Sequence, residues 1–179
     1  MLRTAQSSAS HPQPIDELME RLAQVPERRA SFHEIKSIAG LTAPLHVSGT
    51  LYYRRPDHIE KITAQPHPEI LVVDGERLSL SENNAPSRVL DLDSQPAIRA
   101  LVDAIRGTLS GDLVMLRRAY HVEMAGDLNS WRLTLTPLDT QLARWVRMIA
   151  IYGEGSRLTF VRTIQTNGDE SQMTIDTKP

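Results

Sequence analysis

Short alternating segments separated by turn residues fill the stretch between Ala30 and Leu80. In such segments every second side chain faces the same side of a strand, and the links between the segments are too short for helical crossovers. An antiparallel meander is therefore predicted for this part of the chain. The Asp74-Gly75 dipeptide is its clearest hairpin signal.

One strand of this meander carries a charge on its apolar side. The sequence from Val47 reads V-S-G-T-L-Y-Y-R-R-P, and two-residue periodicity places on one face Val47, Leu51, Tyr53 and Arg55. A guanidinium keeps its charge, so on such a face it needs a carboxylate, a carbonyl oxygen or water within reach. In the alternative interpretation, the stem of Arg55 covers apolar surface while its head reaches solvent beside Pro56.

Helical patterns interrupt the strands. The longest helix is predicted from Ser94 to Arg106, with Gly107 ending it, and a shorter helix is expected to begin near Asp112. The apolar face of the longer helix carries Ile98, Leu101, Val102 and Ile105. A mainly antiparallel sheet must bury one face, so these helices are expected to pack on it either as core or as the lid of a cavity.

The N-terminal part of the chain differs in composition. Residues 1–14 are rich in Ser, Ala, Gln, His and Pro without an apolar run, so a flexible segment with neither a signal sequence nor a membrane span is expected there. Helical spacing follows from Ile15 to Val25, and Pro26 marks its end. Strand patterns resume after the helices, giving about eleven strands and three helices in all. Residues 15–179 are expected to form a single α+β domain, mainly β, and a monomer is expected.

Composition and motifs argue against several classes of function. The net charge is -2 with both signs mixed along the chain, which indicates no nucleic acid partner, and cysteine is absent. The histidines are scattered, because His33-Glu34 is not followed by a second histidine at zinc-protease spacing. No nucleophile elbow or phosphate-binding loop occurs. The sequence therefore predicts no metal, no cofactor and no catalytic activity.

Three segments resemble a known family. They read A-S-F-H-E from Ala30, G-T-L-Y-Y-R-R-P from Gly49 and P-H-P-E-I-L-V-V-D-G from Pro66, and in this order they resemble the LolA-like periplasmic lipoprotein carriers. The resemblance implies an unclosed, curved antiparallel β half-barrel whose concave apolar face is covered by a helical lid and receives acyl chains. The segments around Trp131 and Ile151 are similar to the LolA-related branch found beside acyl-lipid and polyene-type biosynthesis.

The resemblance also implies a site. In that family the arginine before the proline faces the cavity and bonds to the lid, so the lid set here would be Arg55 with Ile98, Leu101, Val102 and Ile105. The cavity would be lined by Leu51, Tyr53, Ile59, Ile62, Leu78, Leu80, Leu133, Leu135, Ile149 and Phe160. These residues would equally serve as ordinary core in a closed β protein.

The function that the resemblance implies is non-catalytic transport. An acylated lipid or a lipoprotein would be held in the cavity, taken from a donor complex of the inner membrane and passed to an acceptor at the outer membrane, with the periplasm as the compartment. Two other functions stay open. One is a periplasmic sensor or accessory module that binds a protein partner with the same half-barrel, and the other is a hydrolase of acylated substrates.

Overall fold

A computed structural model describes residues 13–177, so most of the predicted flexible segment 1–14 lies outside the described residues. The α-helices are α1 (Pro14–Ala23), α2 (Pro96–Ser110) and α3 (Leu113–Ala119). The strands are β1 (Glu27–Ser37), β2 (Leu45–Arg54), β3 (His58–Gln65), β4 (Glu69–Asp74), β5 (Arg77–Glu82), β6 (Arg88–Asp91), β7 (Tyr120–Gly126), β8 (Trp131–Pro137), β9 (Val146–Glu154), β10 (Arg157–Gln165) and β11 (Glu170–Asp176). Short 3₁₀ helices lie at Leu92–Ser94 and Leu142–Arg144.

All eleven strands join one antiparallel sheet in the order β6-β5-β4-β3-β2-β1-β11-β10-β9-β8-β7. The first and last strands pair at the centre, where Phe32 of β1 lies opposite Ile175 of β11. Strands β6 and β7 form the two edges, and over residues 13–177 they do not pair with each other. The sheet is therefore an unclosed, curved half-barrel with helices on its concave face, which confirms the predicted fold class.

The helices bury the concave face of the sheet over one part of its area. Leu18 and Leu22 of α1 pack with Ala104 of α2 and with inward side chains of the sheet, all without solvent exposure. A second, smaller core lies under the start of α2 and comprises Val73, Leu78, Leu92 and Val102. Within residues 13–177, none of the helices combines the length and the apolar character that crossing a bilayer requires.

The boundaries of α2 differ from the prediction at both ends. The helix begins at Pro96 after the 3₁₀ turn that contains Ser94, and it continues through Gly107 to Ser110. Gly107 lies inside the helix and packs against Leu116 of α3, whose Cδ2 would lie 2.6 Å from a Cβ at this position. Gly111 ends the helix instead, with a φ of 69° in the left-handed region that glycine adopts without strain. The predicted helix start near Asp112 is confirmed, since the Asp112 side chain accepts a hydrogen bond from the Met115 amide at 2.8 Å.

Candidate functional site

A cavity of about 590 Å³ lies between α2 and the concave face of the sheet. This volume is in the range of about 300–1,000 Å³ found for ligand sites. Its apolar wall comes from two sources. The sheet contributes Leu51, Tyr53, Ile59, Leu71 and Leu80, and the helix contributes Ile98, Leu101, Val102 and Ile105.

Eight of the residues predicted for this site line the cavity, namely Leu51, Tyr53, Ile59, Leu80, Ile98, Leu101, Val102 and Ile105. Four others face the concave side but lie in closed core beneath the helices, with no solvent exposure: Leu78, Leu133, Leu135 and Ile149. Their assignment to the cavity wall is corrected, because α1 and α2 cover the part of the sheet that these residues occupy. A ligand contact by any of the eight lining residues stays a prediction.

Ile62 and Phe160 face the opposite, convex side of the sheet, so the prediction that they line the cavity is wrong. Ile62 follows Ile59 by three positions, and an odd separation along a strand reverses the face. Phe160 is turned outward because the β9–β10 pairing shifts register between Leu158 and Phe160. Its ring packs edge-on against Tyr152, with the ring centroids 5.4 Å apart, while Leu158 and Val161 line the cavity.

Arg55 does not reach the segment between Ser94 and Arg118, so its predicted contact with the lid is wrong. The residue is exposed, and its guanidinium donates a hydrogen bond to the carbonyl of Ala23 at the end of α1. The Arg55 amide donates to the Pro26 carbonyl at 2.9 Å. These contacts hold the residue after β2 beside the end of α1.

The arginine that ties α2 to the sheet is Arg106, which comes from the helix itself. It is buried, and its Nη2 donates to the carbonyl of Asp57 and, at 2.7 Å, to the carbonyl of Gly75. Burial lowers the pKa of Arg106, with Asp57 among the carboxylates acting against that shift. The sequence carried a signal for this role, because Arg106 recurs at helical spacing between the inward residues Val102 and Leu109.

A second polar contact holds the same helix. The Tyr120 hydroxyl at the start of β7 donates to the carbonyl of Ala100 in α2 at 2.8 Å. Tyr120 is buried, and burial raises the pKa of its hydroxyl. Close by in sequence, Arg99 pairs with Asp103 at 2.9 Å and with Glu76, which joins α2 to the β4–β5 turn. Side-chain contacts therefore fix α2 along its length.

The cavity wall also contains a buried ion pair. Lys61 Nζ lies 2.6 Å from Glu34 Oε2, and Ser171 Oγ donates to Glu34 Oε1 at 2.5 Å. The Glu34 side chain is 5% exposed and that of Lys61 is 18% exposed. Burial lowers the pKa of Lys61. For Glu34, burial on its own would raise the pKa, but the charges of Lys61 and Lys36 and the hydrogen bonds from Lys61 and Ser171 outweigh burial and lower it. The 2.6 Å contact is that of an ion pair.

The sheet register explains how this pair forms. Lys61 stands in one row with Leu51 and Leu71, and Glu34 lies on β1, beyond β2. The residue of β2 between them is Gly49, which has no side chain to stand in the way of the lysine. A Cβ at Gly49 would lie 1.9 Å from the carbonyl oxygen of Ile62, so no other residue fits here without a backbone shift.

Sequence reasoning missed this polar feature although a signal was present. Lys61 is two residues from Ile59, and two-residue periodicity places both on the same face. The same rule places Glu34 on the face of Phe32, whose ring centroid lies 5.0 Å from Lys61 Nζ. The pairing of Glu34 with Lys61 could not be predicted from the sequence, because it depends on the register of β1, β2 and β3.

Comparison with known proteins decides the family. The model of the outer membrane lipoprotein carrier protein LolA-like family matches residues 7–177. The chain belongs to this LolA-like family. A search of curated protein sequences finds no match.

Several solved structures are similar to this chain at low sequence identity. A DUF1329 family protein from Desulfovibrio piger has a TM-score of 0.51 at 10% identity, over 90% of this chain and 88% of that one. A LolA superfamily protein from Nitrosomonas europaea has a TM-score of 0.48 at 10% identity, over 94% and 95% of the two chains. MucB, solved with MucA from Pseudomonas aeruginosa, has a TM-score of 0.44 at 14% identity, over 92% of this chain and 58% of that one.

Proposed function

We propose that this LolA-like protein is a non-catalytic carrier that holds an acylated lipid or a lipoprotein by its acyl chain and transfers it towards the outer membrane. The observation that carries the proposal is the cavity of about 590 Å³ between the concave sheet and the apolar side of α2. Membership of a family described as outer membrane lipoprotein carriers supports the same function. The periplasm is the compartment that such a transfer requires.

The binding energy in this proposal comes from the apolar wall. Each methylene that leaves water contributes roughly 0.8 kcal/mol, so enclosure of even part of one acyl chain competes with its exposure to water. Side chains from both the sheet and the helix, such as Leu51 and Leu101, contact the same cavity space. A chain bound there is covered on two sides.

Release depends on the position of α2 in this proposal. Closing the helix onto the sheet without ligand would bury the same apolar side chains that the ligand otherwise covers, and this gain offsets part of the ligand's burial energy. The hydrogen bonds of Arg106 and Tyr120 determine how easily α2 moves. Both are made to backbone carbonyls, so they hold the helix without a ligand. A donor and an acceptor membrane complex would act on that equilibrium.

The test combines two measurements on the same protein. Native mass spectrometry of protein purified from its own host is expected to show a bound species of lipid mass. Titration of delipidated protein with a fluorescent acyl probe is expected to show saturable binding. Absence of both signals would refute the carrier function, whereas a stable protein complex that contains no lipid would favour the partner-binding module instead. Ester turnover by the pure protein would favour the hydrolase.

A further inference from the structure

The wall of the cavity contains a charged pair that an apolar carrier does not need. Glu34 and Lys61 lie on the inner side of the sheet, and both line the cavity. Lys61 has the apolar neighbours Leu51 and Leu71 on its two sides in the sheet. A buried ion pair gains little stability over apolar residues of the same size, because desolvation of both charges offsets their attraction. Stability alone therefore gives no reason for this pair.

The two partners differ in what they can offer a ligand. Glu34 is almost fully buried and already accepts from Lys61 on one oxygen and from Ser171 on the other. Lys61 is the more exposed partner, and an ammonium has three hydrogen bonds to donate, of which Glu34 takes one. Lys61 therefore presents donors to the cavity, while Glu34 holds it in place from behind.

The surrounding charges decide which acceptor fits. The pair itself is neutral. Of the other charged side chains at this end of the cavity, Lys36 is basic, partly exposed and 3.9 Å from Glu34 Oε2, and four are acidic, namely Glu69, Glu82, Asp169 and Glu170. A ligand carboxylate placed at Lys61 would add a negative charge close to Glu34 and Glu69. A neutral carbonyl oxygen accepts the same hydrogen bond without that repulsion.

We infer that the Lys61–Glu34 pair is a specificity site that binds the neutral carbonyl of an esterified or amide-linked acyl chain and disfavours the free fatty acid. The inference rests on the proposed carrier function and adds to it a preference among acyl ligands. The acyl chain itself lies along the apolar wall beyond Lys61, formed by Leu71 and Leu80 of the sheet and by Ile98 and Leu101 of the helix.

The test measures dissociation constants for a monoacylglycerol and for the fatty acid of the same chain length, at a pH where the acid is ionised. Wild-type protein is expected to bind the monoacylglycerol about tenfold more tightly, because repulsion by Glu34 and Glu69 weakens binding of the ionised acid. Glu34→Gln keeps the shape of the side chain and leaves Lys61 without a counter-charge. This variant is expected to bind the fatty acid about tenfold more tightly than wild type does, with monoacylglycerol binding little changed.

A double variant removes the pair as a unit. Glu34→Leu/Lys61→Met leaves no buried charge, so it is expected to fold, and it is expected to bind both ligands with similar affinity. The control is Glu154→Leu/Arg157→Met, which removes an exposed pair at 3.0 Å in the β9–β10 hairpin and should keep the wild-type preference. Circular dichroism checks the fold of each variant.

The outcomes separate this inference from the proposed function. A wild-type protein that binds both ligands equally, or prefers the acid, overturns the specificity site and leaves the carrier function standing. So does a Glu34→Gln variant with no gain in fatty-acid affinity. A wild-type protein that binds neither ligand removes the carrier function, and the specificity site with it.

Discussion

Arg106 of α2 donates a hydrogen bond from Nη2 to the carbonyl oxygen of Gly75, 2.7 Å away in the β4–β5 turn. The same nitrogen also donates to the Asp57 carbonyl in the β2–β3 turn. One buried guanidinium therefore joins α2 to two turns at the same end of the sheet. Both acceptors are backbone carbonyls, so the tether depends on where the turns lie and not on their side chains.

Replacing Arg106 with methionine is expected to lower the free energy of unfolding by about 1–3 kcal/mol, because two partly buried carbonyls lose the donor that the buried guanidinium supplies. The variant should also release a bound acyl probe faster, since α2 is held less firmly. Chemical denaturation and stopped-flow dissociation measure the two effects. Arg55→Met is the matched control, as Arg55 is exposed and contacts α1, and it should change stability by no more than about 0.5 kcal/mol. Equal effects of the two variants would contradict the tether.

Because the Tyr120 hydroxyl is buried, the free energy of unfolding is expected to fall in alkaline solution. Burial raises the pKa of its hydroxyl above the unfolded value of about 10, so its stabilising effect is complete below about pH 10. As the pH rises further, the unfolded chain ionises first, and the free energy of unfolding falls by about 1.4 kcal/mol per pH unit. Tyr53, whose pKa burial also raises, acts in the same direction.

The measurement is urea unfolding of wild type and Tyr120→Phe from about pH 9 upward. At the lower pH the variant should be less stable by about 1 kcal/mol, because the Ala100 carbonyl loses its donor. The difference should shrink as the pH rises. Tyr152→Phe, on the outer face beside Phe160, serves as the control and should follow wild type. A constant difference between wild type and Tyr120→Phe would contradict the assignment.

The sheet was predictable because its signals are local. Alternation and turn residues such as Asp74-Gly75 act within a few positions, and all predicted strands are present in the structure. The predicted site was less accurate where the evidence is not local. Phe160 faces outward because of a register shift in the pairing with β9, which no property of β10 alone reveals.

The errors at Arg55 and Arg106 have a common cause. Sequence periodicity assigns a side chain to a face, but it does not say which carbonyl lies nearby. Arg55 was placed near the lid by resemblance, whereas the end of α1 lies closer. Arg106 had the helical spacing of an inward residue, yet its acceptors belong to two turns that are distant in the chain.

Removal of the Tyr53 hydroxyl is expected to have the opposite effect on stability from removal of the Tyr120 hydroxyl. This oxygen is buried and has no hydrogen-bond partner among residues 13–177. A buried polar group without a partner costs about 1–3 kcal/mol, so Tyr53→Phe is expected to leave the free energy of unfolding unchanged or to raise it. Thermal and urea unfolding of the variant test this. A loss of more than about 1 kcal/mol would show that the hydroxyl has a stabilising partner in solution.

A charge introduced on the cavity wall is expected to weaken binding of an acyl ligand more than it weakens folding. Ile59 and Leu101 line it from the sheet and from the helix, and Ile62 lies one strand position beyond Lys61 on the convex face, 39% exposed. In Ile59→Glu and Leu101→Glu the carboxylate must lose its water beside the bound acyl chain or draw water into the cavity, and either effect disfavours binding. Affinity for a fluorescent acyl probe should fall at least about tenfold in both variants, since tenfold corresponds to only about 1.4 kcal/mol. Ile62→Glu should bind as wild type does, and circular dichroism should show all three variants folded. If the inner and outer variants bind alike while folded, the acyl chain does not occupy this cavity.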